Sequence, residues 1–225
     1  MPQVSVVIPI YQMDNAQYFL ERNLKSIYIQ SMDDYEIVVS DDSNGNELED
    51  WLKTIDMPIK YVRNTGMKGM ANNTNNGLDN ATGELIKILY QDDYFYDSRS
   101  LEEIVKHLTP NYDWFVTGCY HTMDGTNLFN HHKPYYSESE NTIGSPSVVT
   151  IRQSVKERFD VNFGWVLDLD FYRQLYRSYG KPKVWDRPNV VIGIGTHQET
   201  NKLSDYEKAH EHQLLKLKYE QATKD

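Results

Sequence analysis

The stretch Gly83-Glu84-Leu85-Ile86-Lys87-Ile88-Leu89-Tyr90-Gln91-Asp92-Asp93-Tyr94-Phe95 governs how the rest of this chain is read. Its apolar run, Leu85 to Tyr90, has the length of a buried parallel strand and stops at two acids. An open α/β sheet takes its ligand beyond the carboxyl ends of its strands, which is where Asp92 and Asp93 fall. Carboxylates there are hard oxygen donors, suited to Mg2+ or Mn2+ holding phosphates. A solvated turn with a helix N-cap uses the same residues, so the sequence on either side must decide.

Upstream, the β-branched run Val4-Ser5-Val6-Val7-Ile8-Pro9-Ile10 reads as a central strand stopped at Pro9, because proline cannot donate to a ladder. Phe19, Leu20, Leu24, Ile27 and Tyr28 share one face of a helix predicted over 18–30. A second strand, 35–40, ends in Asp41-Asp42-Ser43, followed by a short helix over 47–55 and a third strand over 59–62. A glycine-punctuated loop, 64–69, leads into an Asn-rich helix over 71–81, in which Gly77 lowers helix propensity and which Gly83 closes as a C-cap. This alternation predicts an α/β fold. Tyr11, Asp42 and Asp92 each follow a strand, and parallel strands bring such ends to one edge of the sheet. Lys68, in the glycine loop, reads either as a phosphate contact or as a solvated lysine.

Downstream the pattern predicts a helix over 101–108 capped by Ser100, a strand over 113–120, and a polar loop or irregular hairpin over 124–141. The pair His131-His132 in that loop suggests metal, yet no further ligand spacing surrounds it. A strand over 146–152, a short helix over 154–159, a helix over 167–179 and strands over 183–186 and 190–194 follow. A charged helix over 206–219 has Leu214, Leu215 and Leu217 for docking. The expected organisation is one domain, 1–201, with a nucleotide-binding half (1–95) and an acceptor-binding half (96–201), then a helical tail (202–225). With 225 residues, 39% hydrophobic, the chain has enough apolar material for a packed core. Its net charge of −10 argues against a broad nucleic-acid face, and an acidic chain that holds a diphosphate needs a metal or local cations. Cys119 is the only cysteine, which makes the reducing cytoplasm the default. No signal peptide or apolar run of spanning length is present, so membrane contact is at most peripheral.

The segments Ser5–Tyr11 and Tyr35–Ser43 together resemble the start of family 2 glycosyltransferases. The likeness continues through Asn75-Asn76-Gly77-Leu78-Asp79-Asn80-Ala81-Thr82-Gly83-Glu84, at Gly144–Arg152 and at Asp168-Leu169-Asp170-Phe171-Tyr172, and so covers most of the chain to about His197. The resemblance implies a GT-A fold, in which a nucleotide-binding α/β sheet is fused to an acceptor-binding part. The implied activity is transfer of a sugar from a nucleotide diphosphate sugar, with UDP the first choice of carrier, to a glycan, lipid-linked or protein acceptor, with inversion and with Mn2+ or Mg2+ as cofactor. Pro9 and Tyr11 then flank the base, Asp42 accepts its hydrogen bond with Asp41 as the alternative, and Asn75, Lys68 and Gln91 join the nucleotide site. Asp92 matches the last acid of the DxD motif and binds the metal, with His197 completing its shell. Tyr90 stands where the family has its first acid, and Asp93 takes over part of that role. Asp168 matches the catalytic base, although a first-turn acid favoured by the helix dipole is the alternative. Trp165 and Asp170 are assigned to the acceptor. A sugar nucleotidyltransferase is disfavoured because the loop Tyr11–Asn15 has neither glycine nor cation; a degenerate binding protein is the other rival, motivated by Tyr90 and Leu167 at usually acidic positions.

Overall fold

Every side chain of β1 (Val4–Ile10) is buried, which places this strand at the centre of the sheet. In the computed structural model, which describes residues 1–221, it is followed by α1 (Ala16–Tyr28), β2 (Tyr35–Asp41), α2 (Glu47–Leu52), β3 (Ile59–Arg63), α3 (Met70–Asn80) and β4 (Leu85–Ile88). These strands pair in parallel in the order β3-β2-β1-β4, the α/β arrangement the alternation predicts. Beyond β4 come β5 (Tyr94–Phe95), α4 (Ser100–His107), β6 (Trp114–Thr122), β7 (Leu128–His132), β8 (Val149–Arg152), α5 (Leu167–Tyr179), β9 (Lys183–Gly193) and α6 (Asp205–Gln221). They extend the sheet through β8, β6, β9 and β5, with β7 hairpinned onto β6, and here the pairing is mixed: only β6 and β9 run parallel. Val, Ile and Leu of β1, β2 and β4 form the core with Leu20, Leu24, Leu78, Phe115, Phe171 and Leu175.

β1 is not stopped at Pro9; it runs on to Ile10. Groups two residues apart on a strand face the same neighbour. The Val7 carbonyl serves Leu89 on the β4 side, so Pro9 faces that side too, where β4 has already ended. The missing proline N–H therefore leaves no rung of the ladder open. Gly83 is not the C-cap of α3; Ala81 is. A Cβ on Gly83 would lie 2.6 Å from the Ser5 backbone nitrogen, so glycine is required for close approach to β1. Gly77 has the same cause: a Cβ there would meet Val7 Cγ1 at 2.5 Å, and its absence lets α3 lie directly on β1 and β2.

Ser100 is the first residue of α4, not its cap, and its hydroxyl donates to the Asn189 carbonyl instead. Residues 146–148 form a 3-10 turn, leaving only Val149–Arg152 as strand, and 154–159 is irregular where a helix is predicted. The strands predicted at 183–186 and 190–194 are one strand, β9, whose register against β6 shifts around Gly118. Of the three leucines expected to dock α6, only Leu215 is buried. Among the described residues no helix is long and apolar enough to cross a membrane.

Candidate active site

Parallel register brings the ends of β1, β2 and β4 to one edge: Ile10 pairs with Asp41, and Val7 with Ile88. Tyr11, 37% exposed, emerges there beside Asp42 and Asp92, while Pro9 stays buried within β1. Asp42 accepts from Asn64 Nδ2 at 2.7 Å and from the Gly69 amide at 2.8 Å, which folds the glycine loop back over the end of β2. Lys68 Nζ closes that loop by donating to the carbonyls of Asp42 at 2.9 Å and Ser43 at 3.2 Å. Asp41 faces the other way. Fully buried, it accepts from Tyr61 Oη and the Ser43 amide, both at 2.7 Å, and lies 3.5 Å from Arg63. Asp41 anchors β2 to β3, and Asp42 is the acid left at the edge.

Past β4, Asp92 Oδ2 sits 2.8 Å from Nε2 of His197, whose ring lies 4.9 Å from that of Phe19, tilted by 42°. His197 lies in the turn after β9, 105 residues away in sequence, so this pair is made by the fold. Both side chains are partly exposed. Asp93 does not join them. Its carboxylate is buried, accepts from the Gly193 amide at 2.8 Å and from Ser145 Oγ at 3.3 Å, and faces Lys87 on β4. Burial, with Asp92 adding to it, pushes Asp93 well above the usual carboxylate range. Burial also pushes the Lys87 amine down to about 7 against the pull of Asp93. The expectation that Asp93 serves as a metal ligand is therefore corrected: the two acids lie in a tight turn past the end of β4, closed by the Asp93 amide on the Tyr90 carbonyl, and Asp93 takes the inward side of it.

Gln91 is also turned inward. Its amide bridges the Tyr11 N–H and the Ala16 carbonyl, both at 3.0 Å, and it is buried, so it positions Tyr11 from behind. Asn75, half-buried, donates to the Phe159 carbonyl at 2.8 Å and accepts from its amide at 2.9 Å, which ties α3 to that segment. The assignment of Gln91 to the nucleotide is corrected to a structural role. Sequence reading missed Arg22 and Asn23 of α1, which hold the carbonyls of Asp92, Tyr90 and Asp93, and Asn73, which joins Ile10 to Ser40. The available signal was a polar pair, Arg22-Asn23, interrupting the apolar face of α1. His131 and His132 meet backbone carbonyls, of Asp186 and of Thr142 and Ile143.

On the far side of Tyr90 stands Asp168, in the first turn of α5. It accepts from Asn141 Nδ2 at 2.6 Å and from the Leu169 amide at 2.7 Å. Burial raises its carboxyl to about 7 even against those hydrogen bonds. Burial also raises the Tyr90 phenol, and Asp168, Asp93 and Asp92 all act on it from close range. The tyrosine that replaces an acid of the motif thus lies between the Asp92–His197 pair and Asp168. Trp165, just before α5, is half-buried; its Nε1 donates to Thr200 and its ring meets His212 edge-on. Asp170 cannot face an acceptor. It is fully buried under α6, where Lys218 Nζ lies 2.8 Å from Oδ1 and the Tyr219 hydroxyl also donates at 2.8 Å. Two residues along a helix turn a side chain through about 200°, which carries Asp170 from the site to the helix interface.

Among the described residues no group of three or more His, Cys, Asp or Glu side chains could hold a metal by itself. One carboxylate and one imidazole do fit Mn2+ or Mg2+ that takes its remaining oxygens from a diphosphate and water.

The sequence model described as Glycosyl transferase family 2 matches residues 5–179. A Campylobacter jejuni protein named GalNAc(5)-diNAcBac-PP-undecaprenol beta-1,3-glucosyltransferase is 34% identical over 129 residues, which are 56% of this chain and 40% of the relative. The Escherichia coli UDP-Glc:alpha-D-GlcNAc-diphosphoundecaprenol beta-1,3-glucosyltransferase WfgD is 29% identical over 126 residues, 56% of this chain and 48% of its own length. The chain thus spans half or less of the length of these two relatives. Among solved structures, S. aureus TarS 1–349 in complex with UDP-GlcNAc superposes with a TM-score of 0.71 at 18% identity, covering 90% of this chain and 61% of that one. The mannosyltransferase PcManGT from Pyrobaculum calidifontis, in complex with GDP-Man and Mn2+, gives 0.63 at 20% identity, covering 87% of this chain and 58% of that one. Those two likenesses establish the GT-A fold, and the family match spans most of the sheet and α5. The chain belongs to glycosyl transferase family 2.

Proposed function

We propose that this protein moves a sugar from a nucleotide diphosphate sugar, with UDP as the carrier, to a hydroxyl of a lipid-linked glycan, with inversion at the anomeric carbon. The observation that carries the reading is the pair of acids flanking Tyr90: Asp92 held by His197, and Asp168 raised to about 7 by burial. Two carboxylates in unlike surroundings take unlike roles. Asp92 and His197 would hold Mn2+ or Mg2+, which when bound supplies charge neutralisation for the departing diphosphate. Tyr11 offers a ring to the base, and Asp42, with Lys68 beside it, offers a carboxylate to the base N–H. Asp168 accepts the proton of the acceptor hydroxyl as that oxygen bonds to the anomeric carbon. The bond from that carbon to the diphosphate breaks, and its electron pair leaves with the nucleoside diphosphate. Half-deprotonated near neutral pH, a carboxyl of this kind is matched to proton transfer at physiological pH. The undecaprenol-diphosphate acceptors named for two relatives support the acceptor class, and the lone, buried, reduced Cys119 supports a cytoplasmic site of action.

The test is release of nucleoside diphosphate from a panel of UDP, GDP, CDP and dTDP sugars, with Mn2+ and with chelator, and NMR of the glycoside formed. Turnover with an α-linked donor giving a β-product is expected. A retained anomer sinks the single displacement. Stabilisation by nucleotide sugar without any release supports the rival binding protein, which Tyr90 at an acid position favours.

A further inference from the structure

The turn that carries Trp165 into α5 has no cap of its own. Val166 stands at the N-cap position without a side-chain hydrogen bond. Three consecutive backbone amides just ahead of the helix nevertheless have partners, and all are on one side chain. Glu211 of α6 accepts from Gly164 at 3.1 Å through Oε1, and from Trp165 at 2.8 Å and Val166 at 3.0 Å through Oε2. A carboxylate taking three adjacent amides is a strong, geometrically exact clamp. A Cβ on Gly164 would sit 3.3 Å from Glu211 Oε1, so the approach uses the glycine. Trp165 is enclosed further by His212 and by Lys208 over its ring, both from α6. A second clamp one helical stretch later, Lys218 and Tyr219 on Asp160 and Asp170, fixes the register of α6 against α5. Glu211 lies outside the residues matched by the family, which end at Tyr179.

We propose that Glu211 is a positioning residue for the transfer step: by holding the amides of Gly164, Trp165 and Val166 it fixes the turn that aims Asp168 and Trp165 at the acceptor, without touching the donor. This rests on the reading of Asp168 as the base. Asp168 follows Val166 by two residues, so a turn released from Glu211 shifts the carboxylate directly, and misplacement by about 1 Å suffices for roughly a hundredfold loss.

The experiment uses the full chain, Glu211→Ala and Glu211→Gln, with the exposed Lys216→Ala as control. Four quantities are measured: amide exchange across residues 163–169, melting temperature, affinity for UDP with Mn2+, and turnover of the nucleotide sugar that the donor panel identifies. In Glu211→Ala, exchange at residues 164–166 should accelerate at least about tenfold and turnover fall by about tenfold or more, with UDP affinity unchanged. Glu211→Gln, which keeps one acceptor oxygen, should fall between alanine and wild type. Faster exchange with wild-type turnover reduces Glu211 to a structural staple and overturns the proposal, as does a parallel fall in melting temperature, UDP affinity and turnover. Unchanged exchange overturns it as well. If wild type turns over no nucleotide sugar while binding UDP, the transferase reading fails first and takes this role with it.

Discussion

The donor edge and the acceptor turn are built by different means. Tyr11, Asp42 and Asp92 lie at the ends of adjacent parallel strands, and their mutual placement follows from ladder register, backed by Gln91, Asn73, Arg22 and Asn23 behind them. Trp165 and Asp168 lie on a turn with no ladder beneath it. Their placement follows from side chains far away in sequence: Asn141, Thr200, Glu211, and Lys218 through Asp170. A sheet edge therefore tolerates loss of a side chain with its geometry intact, whereas the turn depends on each contact that holds it.

The sharpest separation comes from Asp168→Asn. Turnover should fall about 10²–10⁴-fold, with affinity for the nucleoside diphosphate unchanged by calorimetry. In wild type the rate should rise with pH through about 7 and then level, because the base acts deprotonated and its carboxyl lies near that value. A pH profile already flat from 5 upwards would show that the working base is another group. On the donor side, chelation or Asp92→Asn should lower turnover by about 10–100-fold or more, since a directly bound ligand matters at least as much as the groups that orient it. Activity unaffected by chelator would mean that cations alone hold the diphosphate.

Asp170→Asn exchanges the two regions' behaviour. The sequence assigns this residue to the acceptor. Buried against Lys218 and Tyr219, it should instead lower stability by about 1.5–3 kcal/mol, the range for hydrogen bonds to a charged group. For a chain of this size that is roughly 5–10 °C in melting temperature by calorimetry. Asp42→Ala, at the sheet edge, should weaken nucleotide binding by about 1.5–3 kcal/mol without lowering the melting temperature comparably. The remaining effect is a gain. The folded Asp168 carboxyl lies above its unfolded value of about 3.9, so protonation favours the fold and the penalty grows as pH rises from there to about 7. Asp168→Asn should therefore melt above wild type at pH 8 and level with it at pH 4, the trade between stability and function at a base.

The same division explains what the sequence disclosed. Continuous apolar and β-branched runs and the alternation of strand with helix made the first half of the sheet legible, together with the edge on which Asp42 and Asp92 stand. Pro9 and Gly83 misled because their meaning depends on which neighbour they face: β4 ends before it reaches Pro9, and Ser5 presses on Gly83. Gln91 and Asn75 stand in the motifs, yet both amides bond backbone groups that no local pattern reveals. Asp168 and Asp170 look alike in sequence; only the docking of α6 tells them apart. His197 was found through resemblance, and the fold brings it to Asp92.

The clamp made by Glu211 also sets an order of events during synthesis. Chains emerge from the ribosome amino end first, at about 5–20 residues per second. The strands that define the donor edge, β1 to β4, are complete once Asp93 has emerged. The turn bearing Asp168 is made later, yet its three amides stay without their partner until residue 211 is out, and Asp170 waits for Lys218 and Tyr219. A nascent chain thus passes through an interval in which the sheet edge has all its residues and the turn bearing Asp168 is still unheld. On the proposed roles, competence for transfer waits on α6, so ribosome stalling within that helix would leave a chain able to hold nucleotide but not to use it.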